Sequence, residues 1–553
     1  MRTLVVAVLL AALLGLTTGA PAAEGQRRRD TVVVGMTQEP DSLGLFSIMD
    51  AAGVVEHGLF AYAAPFTDRW VRRPVMVEKL PTLKDGDWVV LPGNKMRVTW
   101  KLRRGFTWHD GRPVTALDWR FTYGMLRNPR TPQVSRFIVS KIDNVLVPNP
   151  ADPYTVVIQW NELWPFAGSE PTGGAFPYPR HILEPAYLKD PGELKEHPYW
   201  RAPVGHGPYR FVEWVRGSHI TLEAYERFPL GKPAIRRVVF RFILDSTVLA
   251  VNQITGSVDA TAINGFDCQT MEQIARRNPE VRANFREGMG WERIDFNLDN
   301  EWLRDRRVRQ AMAYAIDRAA IAELSCSGSR QPVAHTWLAP RHPASNPNVR
   351  KYEYDPGRAR ALLAEAGFAP GPDGILRDGA GRRMELTIMS TAGNALREQI
   401  EVVIKDYLRQ VGIDLRIDNR PASVFLGPVL RQRQFPHLAL YRSSFTPESI
   451  PFSRFHSSQI PRAENNWEGD NRAGWRNAEN DKIWEQLISE LDERRRIQLL
   501  RRQQEIFAED LPTLPLFFAL NLTTAHRALQ GVRPTGLSGT FLTWNLWEWK
   551  WEN

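Results

Sequence analysis

The segment that most constrains the fold of this chain lies between residues 384 and 417. Residues 384–389 form an apolar, strand-like run, and the apolar side chains after them recur at helical spacing as far as Val411, where Gly412 offers a stop. Residues 413–417 then alternate apolar and polar, which is typical of a half-buried strand. A strand, a helix and a strand in quick succession predict a parallel pair covered by its connecting helix, and therefore an α/β lobe.

Two aspartates mark the starts of further helices. Asp355 is followed by Pro356; the carboxylate can accept a hydrogen bond from a free amide, and proline suits the first turn. Asp305 can cap a helix whose apolar side chains continue through Ile316 to Ala319. This half of the chain is therefore predicted to alternate regularly between helices and strands.

The composition suits a chain that buries several cores. Its 553 residues are 43% hydrophobic and 24% charged, and the length predicts about three to four domains. The two cysteines, Cys268 and Cys326, exclude a disulfide-dense scaffold and a four-cysteine metal site. In an oxidising compartment they can form one disulfide, and two separate buried thiols explain them equally well, so both alternatives stay open.

Residues 1–23 have the order of parts that defines a secretory signal peptide. Arg2 supplies a positive start, residues 4–16 are almost entirely apolar, and small residues suit cleavage near Ala22 or Ala23. The apolar run is too short to span a membrane comfortably, which argues against an N-terminal anchor. No cysteine follows it, so a lipid anchor is not expected and the mature protein is predicted to be periplasmic.

The net charge of +9 raises the question of nucleic-acid binding. The 71 basic residues are spread along the chain among 62 acidic ones, without a long basic block. A solvated, arginine-rich surface explains this distribution better than a nucleic-acid interface does.

Motifs for catalysis or cofactor binding are absent from the sequence. It contains no GxSxG, HExxH, Walker loop, GxGxxG or CxxC, and its 11 histidines lack metal-ligand spacing. The run His109-Asp110-Gly111 is explained better by a turn than by an acid/base pair. We therefore predict no catalytic residue, no metal ligand and no cofactor.

The 19 tryptophans are the most unusual feature of the composition. Near the C-terminus, Trp547, Trp549 and Trp551 alternate with charged residues, which predicts a strand with the three rings on one face. Such a face can serve as an aromatic platform for a ligand or can pack on a lobe, and packing is the favoured interpretation.

Several segments together resemble the family 5 solute-binding proteins of bacterial ABC importers, which include dipeptide-, oligopeptide- and nickel-binding proteins. Residues 305–318 (DRRVRQAMAYAIDR) match the best-known signature of that family almost throughout. The other matching segments, which follow one another in the order of the family, are residues 34–43, 102–116, 205–209, 354–368 and 412–413. In the GTGPY motif of the family, His206 stands in place of threonine.

The resemblance implies an α/β, two-lobed periplasmic-binding-protein fold of the large, three-domain type. The hinge would be two crossing strands at residues 293–297 and 514–520, both of which are apolar enough for buried strands. The implied domains are a discontinuous domain I (residues 31–70, 205–290 and 520–553), an inserted domain II (71–204) and domain III (291–519). The signature helix itself is interpreted as a packing element, because its small residues allow close helix contacts.

Three loops that face the cleft in relatives supply the candidate ligand-binding residues. They are Ser47, Met49, Asp50, Thr391, Asn394, Tyr441, Ser443, Ser444 and Phe445. Their hydroxyl, amide, aromatic and charged groups suit a polar organic ligand. Peptide-binding relatives hold the α-amino group of the ligand with an aspartate in the third loop, whereas here no acid precedes Glu448. That loop therefore offers no carboxylate to pair with the free amino group of a peptide, and a substitute role for Asp50 is speculative.

The resemblance implies the extracytoplasmic substrate-binding component of an ABC importer. It would capture a peptide-like or other polar organic solute between its lobes, close by hinge bending, and deliver the solute to a permease and its ATPase subunits. We expect a monomer that binds no nucleic acid and is not an enzyme. The alternatives are a secreted hydrolase on a lobed scaffold and a nickel- or metal-chelate-binding member of the same family.

Overall fold

The computed structural model describes residues 30–552 except 48, 133–137, 170–175, 263–264, 327, 329–330, 538 and 540. The predicted signal peptide, residues 1–23, lies outside the described residues. The strands are β1 (Thr31–Met36), β2 (Trp88–Leu91), β3 (Lys95–Lys101), β4 (Ile142–Leu146), β5 (Thr155–Trp160), β6 (Tyr209–Val215), β7 (His219–Ala224), β8 (Arg237–Phe242), β9 (Ala260–Thr261), β10 (Val281–Phe296), β11 (Ala369–Pro370), β12 (Leu376–Arg377), β13 (Glu385–Met389), β14 (Asp414–Ile417), β15 (Leu438–Ser444), β16 (Thr513–His526), β17 (Leu529–Gln530) and β18 (Lys550–Trp551).

The helices lie between these strands. They are α1 (Asp50–Leu59), α2 (Ala116–Arg127), α3 (Arg180–Lys189), α4 (Ser246–Ile254), α5 (Cys268–Arg277), α6 (Glu301–Arg304), α7 (Arg306–Ala315), α8 (Arg318–Ser325), α9 (Pro356–Glu365), α10 (Ala395–Gln410), α11 (Ala422–Val424), α12 (Phe452–Phe455), α13 (Ala478–Leu487) and α14 (Glu493–Asp510).

A mixed sheet of ten strands, in the order β14-β13-β15-β10-β16-β9-β1-β8-β7-β6, organises the molecule. Its two central strands, β10 and β16, pair antiparallel from Val281 opposite His526 to Asp295 opposite Thr513. They join the half built on β1 to the half built on β13 and β15, so the molecule has the predicted two lobes and two crossing strands. A separate antiparallel sheet, in the order β2-β3-β5-β4, lies in the segment between the first and sixth strands.

The two lobes have separate cores and also touch each other. Buried side chains around β1 and β8 form one core, and those around β13, α10 and β15 form another. A further cluster brings Phe66, Trp70 and Leu537 from the first lobe against Trp337 and Phe445 from the second. Because large aromatic side chains contribute much apolar area, this cluster stabilises the contact between the lobes.

The strand–helix–strand prediction around residues 384–417 is confirmed. β13 and β14 pair in parallel, and Gly412 adopts a left-handed conformation (φ +83°) after the end of α10. The prediction that the helix capped by Asp305 continues to Ala319 is wrong. It ends at Ala315 because Asp317 starts a new helix, accepting a hydrogen bond from the Ala320 N–H at 3.0 Å.

The predicted tryptophan strand near the C-terminus is also wrong. Residues Leu542–Glu548 form a 3-10 helix, and only the two residues of β18 are extended. Trp549 is fully buried, and the Trp551 indole donates to the Thr31 carbonyl at 3.1 Å. Each ring takes its own place in the core rather than a shared face, which favours the packing interpretation.

Cys268 and Cys326 form a disulfide. Cys268 is the first residue of α5, and Cys326 directly follows α8. The crossing strand β10 lies between the two cysteines in sequence, so the bond closes a loop of chain that contains one of the two connections between the lobes.

Helix α1 buries Glu56, and this residue makes stability depend on pH. Burial raises the pKa of Glu56 from its ordinary 4.5 to about 7. The hydrogen bond that the carboxylate accepts from the Gly44 N–H lowers the pKa, but by less than burial raises it. The folded state therefore keeps a proton that the unfolded state loses as the pH rises from 4.5 to 7. Between these pH values the wild-type protein should lose up to about 3 kcal/mol of unfolding free energy through this group.

We expect Glu56→Gln, whose amide oxygen can still accept the Gly44 N–H, to lack this loss. Urea unfolding at pH 5 and pH 8 measures the difference. The exposed residue Glu464 provides the control variant Glu464→Gln, which should behave as the wild type. Parallel pH curves for the wild type and Glu56→Gln would contradict the prediction.

Candidate functional site

The candidate site lies at the carboxyl ends of β13 and β15. β13 pairs in parallel with both β14 and β15. After β13 the chain first forms β14 on one side of this strand, and it later forms β15 on the other side. This reversal of strand order opens a crevice outside the carboxyl ends of the strands, where α/β sheets bind ligands. Two of the three predicted ligand loops, residues 390–394 and 441–445, lie at this edge.

The first of these loops presents Thr391 and Asn394. Thr391 is half-buried and forms a parallel bridge with Arg420, and its hydroxyl has no hydrogen-bond partner among the described residues. Asn394 caps α10, its side-chain oxygen accepting from the Arg397 N–H at 3.1 Å. A buried hydroxyl without a partner among the described residues and a helix N-terminus thus lie in the same loop.

The second loop has a more closed environment. Ser444 is exposed opposite Gly290 of β10, whereas the Ser443 hydroxyl accepts a hydrogen bond from Arg454. Phe445 packs edge-on against Trp337, with ring centroids 5.3 Å apart. Ser444 is therefore the residue of this loop that is most accessible to a ligand.

Tyr441 is only 2% exposed. Its hydroxyl donates to Asp295 and accepts from Arg293, both on β10. Its role as a ligand contact stays a prediction, since its polar atom is already engaged by the crossing strand.

The predicted loop that begins at Ser47 belongs to the other lobe. The Ser47 hydroxyl donates to Asp41 at 2.5 Å and accepts from the Met49 N–H at 3.2 Å. Met49 is the N-cap of α1 and packs partly on the core of its lobe, and Asp50 is the exposed first residue of the helix. Ser47 and Met49 thus shape the start of α1, which leaves Asp50 as the most accessible polar group here.

A charged cluster beside the crevice is missing from the sequence-based site. The Glu292 carboxylate lies 2.8 Å from Arg442 Nε and 3.2 Å from Arg397 Nε, and Glu292 is 2% exposed. Burial alone would raise the pKa of Glu292, but Arg442 and Arg397 outweigh burial and hold the pKa below its ordinary value. Two guanidinium groups therefore share one buried carboxylate, while the Glu398 carboxylate accepts from the Gly393 N–H at 2.7 Å in the neighbouring loop.

A sequence signal for these residues did exist. Glu292, Arg293 and Asp295 are three charged residues in and beside a segment that is otherwise apolar enough for a buried strand. Buried charges need partners, so charged residues in a predicted crossing strand indicate a functional or structural cluster.

The signature helix has a structural role, in agreement with its interpretation from sequence. The buried Arg309 guanidinium donates to the backbone carbonyls that end α6 and α14, and Arg318 donates to those of Ala334, Tyr352 and Pro515. These arginines satisfy carbonyl groups that would otherwise be buried without a donor.

Two broader searches of the described part of the chain bear on function. Among those residues, no helix combines the length and apolar character needed to cross a membrane. No three His, Cys, Asp or Glu side chains within the same part of the chain are grouped as ligands for a metal ion.

Two lobes, two crossing strands and a crevice at the carboxyl ends of parallel strands define a solute-binding protein that closes over its ligand. The chain belongs to the bacterial extracellular solute-binding proteins, family 5, whose middle-region model matches residues 87–459. As a member of this family it is the substrate-binding component of an ABC importer and not an enzyme.

Known relatives are similar over nearly the whole chain. The oligopeptide-binding protein AppA of Bacillus subtilis is 25% identical over 91% of this chain and 88% of its own length. The structure of an oligopeptide-binding protein from Thermus thermophilus with a pentapeptide superposes with a TM-score of 0.73 at 30% identity, covering 95% of this chain and 96% of that one. NikZ from Campylobacter jejuni with Ni(L-His) shares the fold, with a TM-score of 0.75 at 23% identity over 94% and 99% of the two chains.

Proposed function

We propose that this protein captures a peptide-like or other polar organic solute in the crevice and delivers it to a membrane permease with its ATPase subunits. It acts as a monomer in the periplasm after cleavage of the signal peptide near residue 22 or 23. Its domains are I (residues 31–70, 205–290 and 520–553), II (71–204) and III (291–519). The peptide ligand of the Thermus thermophilus relative and the name of the Bacillus subtilis relative support the solute class.

The observation that carries the proposal is the polar edge formed by β13 and β15. Thr391, Asn394 and Ser444 offer uncharged donors and acceptors, while Arg397 and Arg442 share the single carboxylate of Glu292. With two guanidinium groups on one carboxylate and no acid among residues 443–447, the Arg442 side of this edge favours a negatively charged solute group, such as a carboxylate, over an ammonium.

Closure is supported by a contact between the lobes next to the same loop. Arg72 of the first lobe forms an ion pair with Glu448 at 2.8 Å, and its guanidinium lies 3.8 Å from the centroid of the Phe66 ring. Glu448 closely follows the 441–445 loop, so a solute held by that loop lies beside the contact that joins the lobes. A ligand that contacts both lobes shifts the population towards this closed form.

Mass spectrometry of the solute that co-purifies with the protein, followed by refolding and calorimetric titration, tests the proposal. We expect stoichiometric binding of one polar organic solute, and Arg442→Gln should weaken it about 10-fold or more by removing a charge-assisted donor. The control Arg416→Gln, on an exposed face of β14, should leave the affinity unchanged.

Three results would contradict the proposal. Unchanged affinity in Arg442→Gln would remove this edge from the ligand site. A stoichiometric metal bound without an organic solute would favour the nickel-binding alternative. Turnover of peptides or glycosides would favour the hydrolase.

A further inference from the structure

A small cavity lies on the face of β10 that carries Arg293 and Asp295. Its volume is about 10 Å³, and its charged lining consists of Arg293, Asp295, Arg454, Asp470 and Arg472. We call this set the arginine cavity. Its walls come from both crossing strands, because Thr513 of β16 also lines it.

Donors in the arginine cavity outnumber the acceptors that the protein supplies. The Asp295 carboxylate already accepts from Arg293, from the Tyr441 hydroxyl and, at 2.9 Å, from the Thr513 hydroxyl. Arg293 is 1% exposed, yet its Nη1 atom has no hydrogen-bond partner among the described residues, and its Nε meets only Asp295 Oδ1, in an ion pair at 3.2 Å. A buried guanidinium with unused donors is costly unless an acceptor fills the adjoining space.

The charges of the arginine cavity do not balance either. Arg454 and Arg472 both pair with Asp470, and Arg293 pairs with Asp295. Tyr441 adds no negative charge, because burial raises its pKa above the ordinary value. Three guanidinium groups thus face two carboxylates, which leaves one positive charge in excess.

Acids on the neighbouring elements are committed elsewhere. Glu292, on the opposite face of β10, pairs with Arg397 and Arg442. Asp299 pairs with Arg433 and Arg476, and the Asp510 carboxylate accepts from the side chains of Trp475 and Asn477. Their charges therefore do not cancel the excess in the cavity.

We propose that the arginine cavity binds one halide ion, with chloride as the physiological occupant. The small volume of this cavity, about 10 Å³, favours a single small ion over phosphate, sulfate or a carboxylate-bearing molecule. A monovalent anion there accepts from the unused Arg293 Nη1 and cancels the excess charge, and a water molecule cannot cancel that charge. Arg454 also donates to Ser443, so the ion supports the loop that carries the candidate ligand residues.

Two measurements on the full-length mature protein test the halide site. In crystals soaked in bromide, we expect an anomalous peak in the arginine cavity within hydrogen-bond distance of Arg293. In solution, replacing sodium gluconate by sodium chloride at constant ionic strength should raise Tm by about 1–3 °C. A water in place of the anomalous peak, or a Tm that is the same in both salts, would overturn the proposal.

Variants separate the halide site from general salt effects. Arg472→Met leaves two guanidinium groups on two carboxylates, so its Tm should no longer respond to chloride. The control Arg476→Met alters an exposed arginine paired with Asp299 and should keep the full response. If Arg472→Met keeps the chloride response, the charge excess is not the cause of binding and the proposal fails. None of these readouts depends on the transported solute.

Discussion

Replacement of Arg309 by methionine is expected to lower the free energy of unfolding by about 3–5 kcal/mol. The Arg309 side chain is 4% exposed and lies where two helices end. Its Nη1 donates to the carbonyls of Leu303 (2.7 Å) and Arg304 (2.9 Å), and its Nε to those of Asp510 (3.1 Å) and Leu511 (3.0 Å). Methionine fills the space but leaves these buried carbonyls without their donor.

The charge of Arg309 adds to this effect. Burial lowers its pKa to about 10, so the side chain remains protonated at neutral pH. A cation at a helix C-terminus interacts favourably with the helix dipole, and Arg309 does so at both α6 and α14. Because α14 leads into β16, loss of the Arg309 guanidinium is also expected to loosen this crossing strand.

Urea unfolding at neutral pH measures the prediction for Arg309. Arg306→Met is the matched control: it lies on the same helix, its side chain is 56% exposed, and its ion pair with Glu509 spans 3.6 Å, so the expected change is below about 0.5 kcal/mol. Arg309→Lys should recover only part of the loss, since one ammonium cannot reach both helix ends. Equal stabilities for Arg309→Met and Arg306→Met would refute the capping role.

Removal of the disulfide by the double change Cys268→Ala and Cys326→Ala is expected to cost about 2–4 kcal/mol of unfolding free energy. The cysteines are 58 residues apart, so the bond restricts a long loop in the unfolded chain. In the folded protein that loop contains β10, and the bond sits in a small core with Val281 of β10 and Leu520 of β16. We therefore also expect the double variant to open its lobes more widely.

Thermal unfolding with and without a reducing agent measures the disulfide effect. The wild type should lose stability on reduction, whereas the double variant should not respond. Small-angle scattering of the ligand-free proteins measures lobe opening, and we expect a larger radius of gyration for the double variant. A wild type whose Tm is insensitive to full reduction would contradict the stability prediction.

Local sequence patterns were sufficient where one element follows directly from its own residues. The period of the apolar residues defines β13, α10 and β14, and Gly412 ends the helix by adopting a positive φ. The local pattern gave a wrong prediction at the tryptophan-rich C-terminal segment. There the two-residue alternation favours a strand, whereas burial of the large tryptophan rings favours another backbone conformation. The core offered separate places for those rings, so tertiary packing overrode the strand pattern.

The candidate site shows the same division. Thr391, Asn394 and Ser444 could be proposed from the loops in which they occur, because a loop at a strand end is visible in the sequence. The pairing of Arg397 with Glu292 could not be proposed, because these residues lie 105 positions apart and meet only when α10 packs on the sheet. The balance of charge at the crevice therefore depends on the contact between these two segments and cannot be read from either segment alone.

The sequence by itself determined the class of fold and the two crossing strands, because hydrophobic period, helix caps and family motifs can be read from consecutive residues. Only the tertiary structure decided that Cys268 and Cys326 are bonded and that five arginines surround β10 and β15 with three carboxylates among them. Disulfide pairing and charge balance depend on distances between residues far apart in sequence. Those distances exist only once the two lobes have folded around their shared strands.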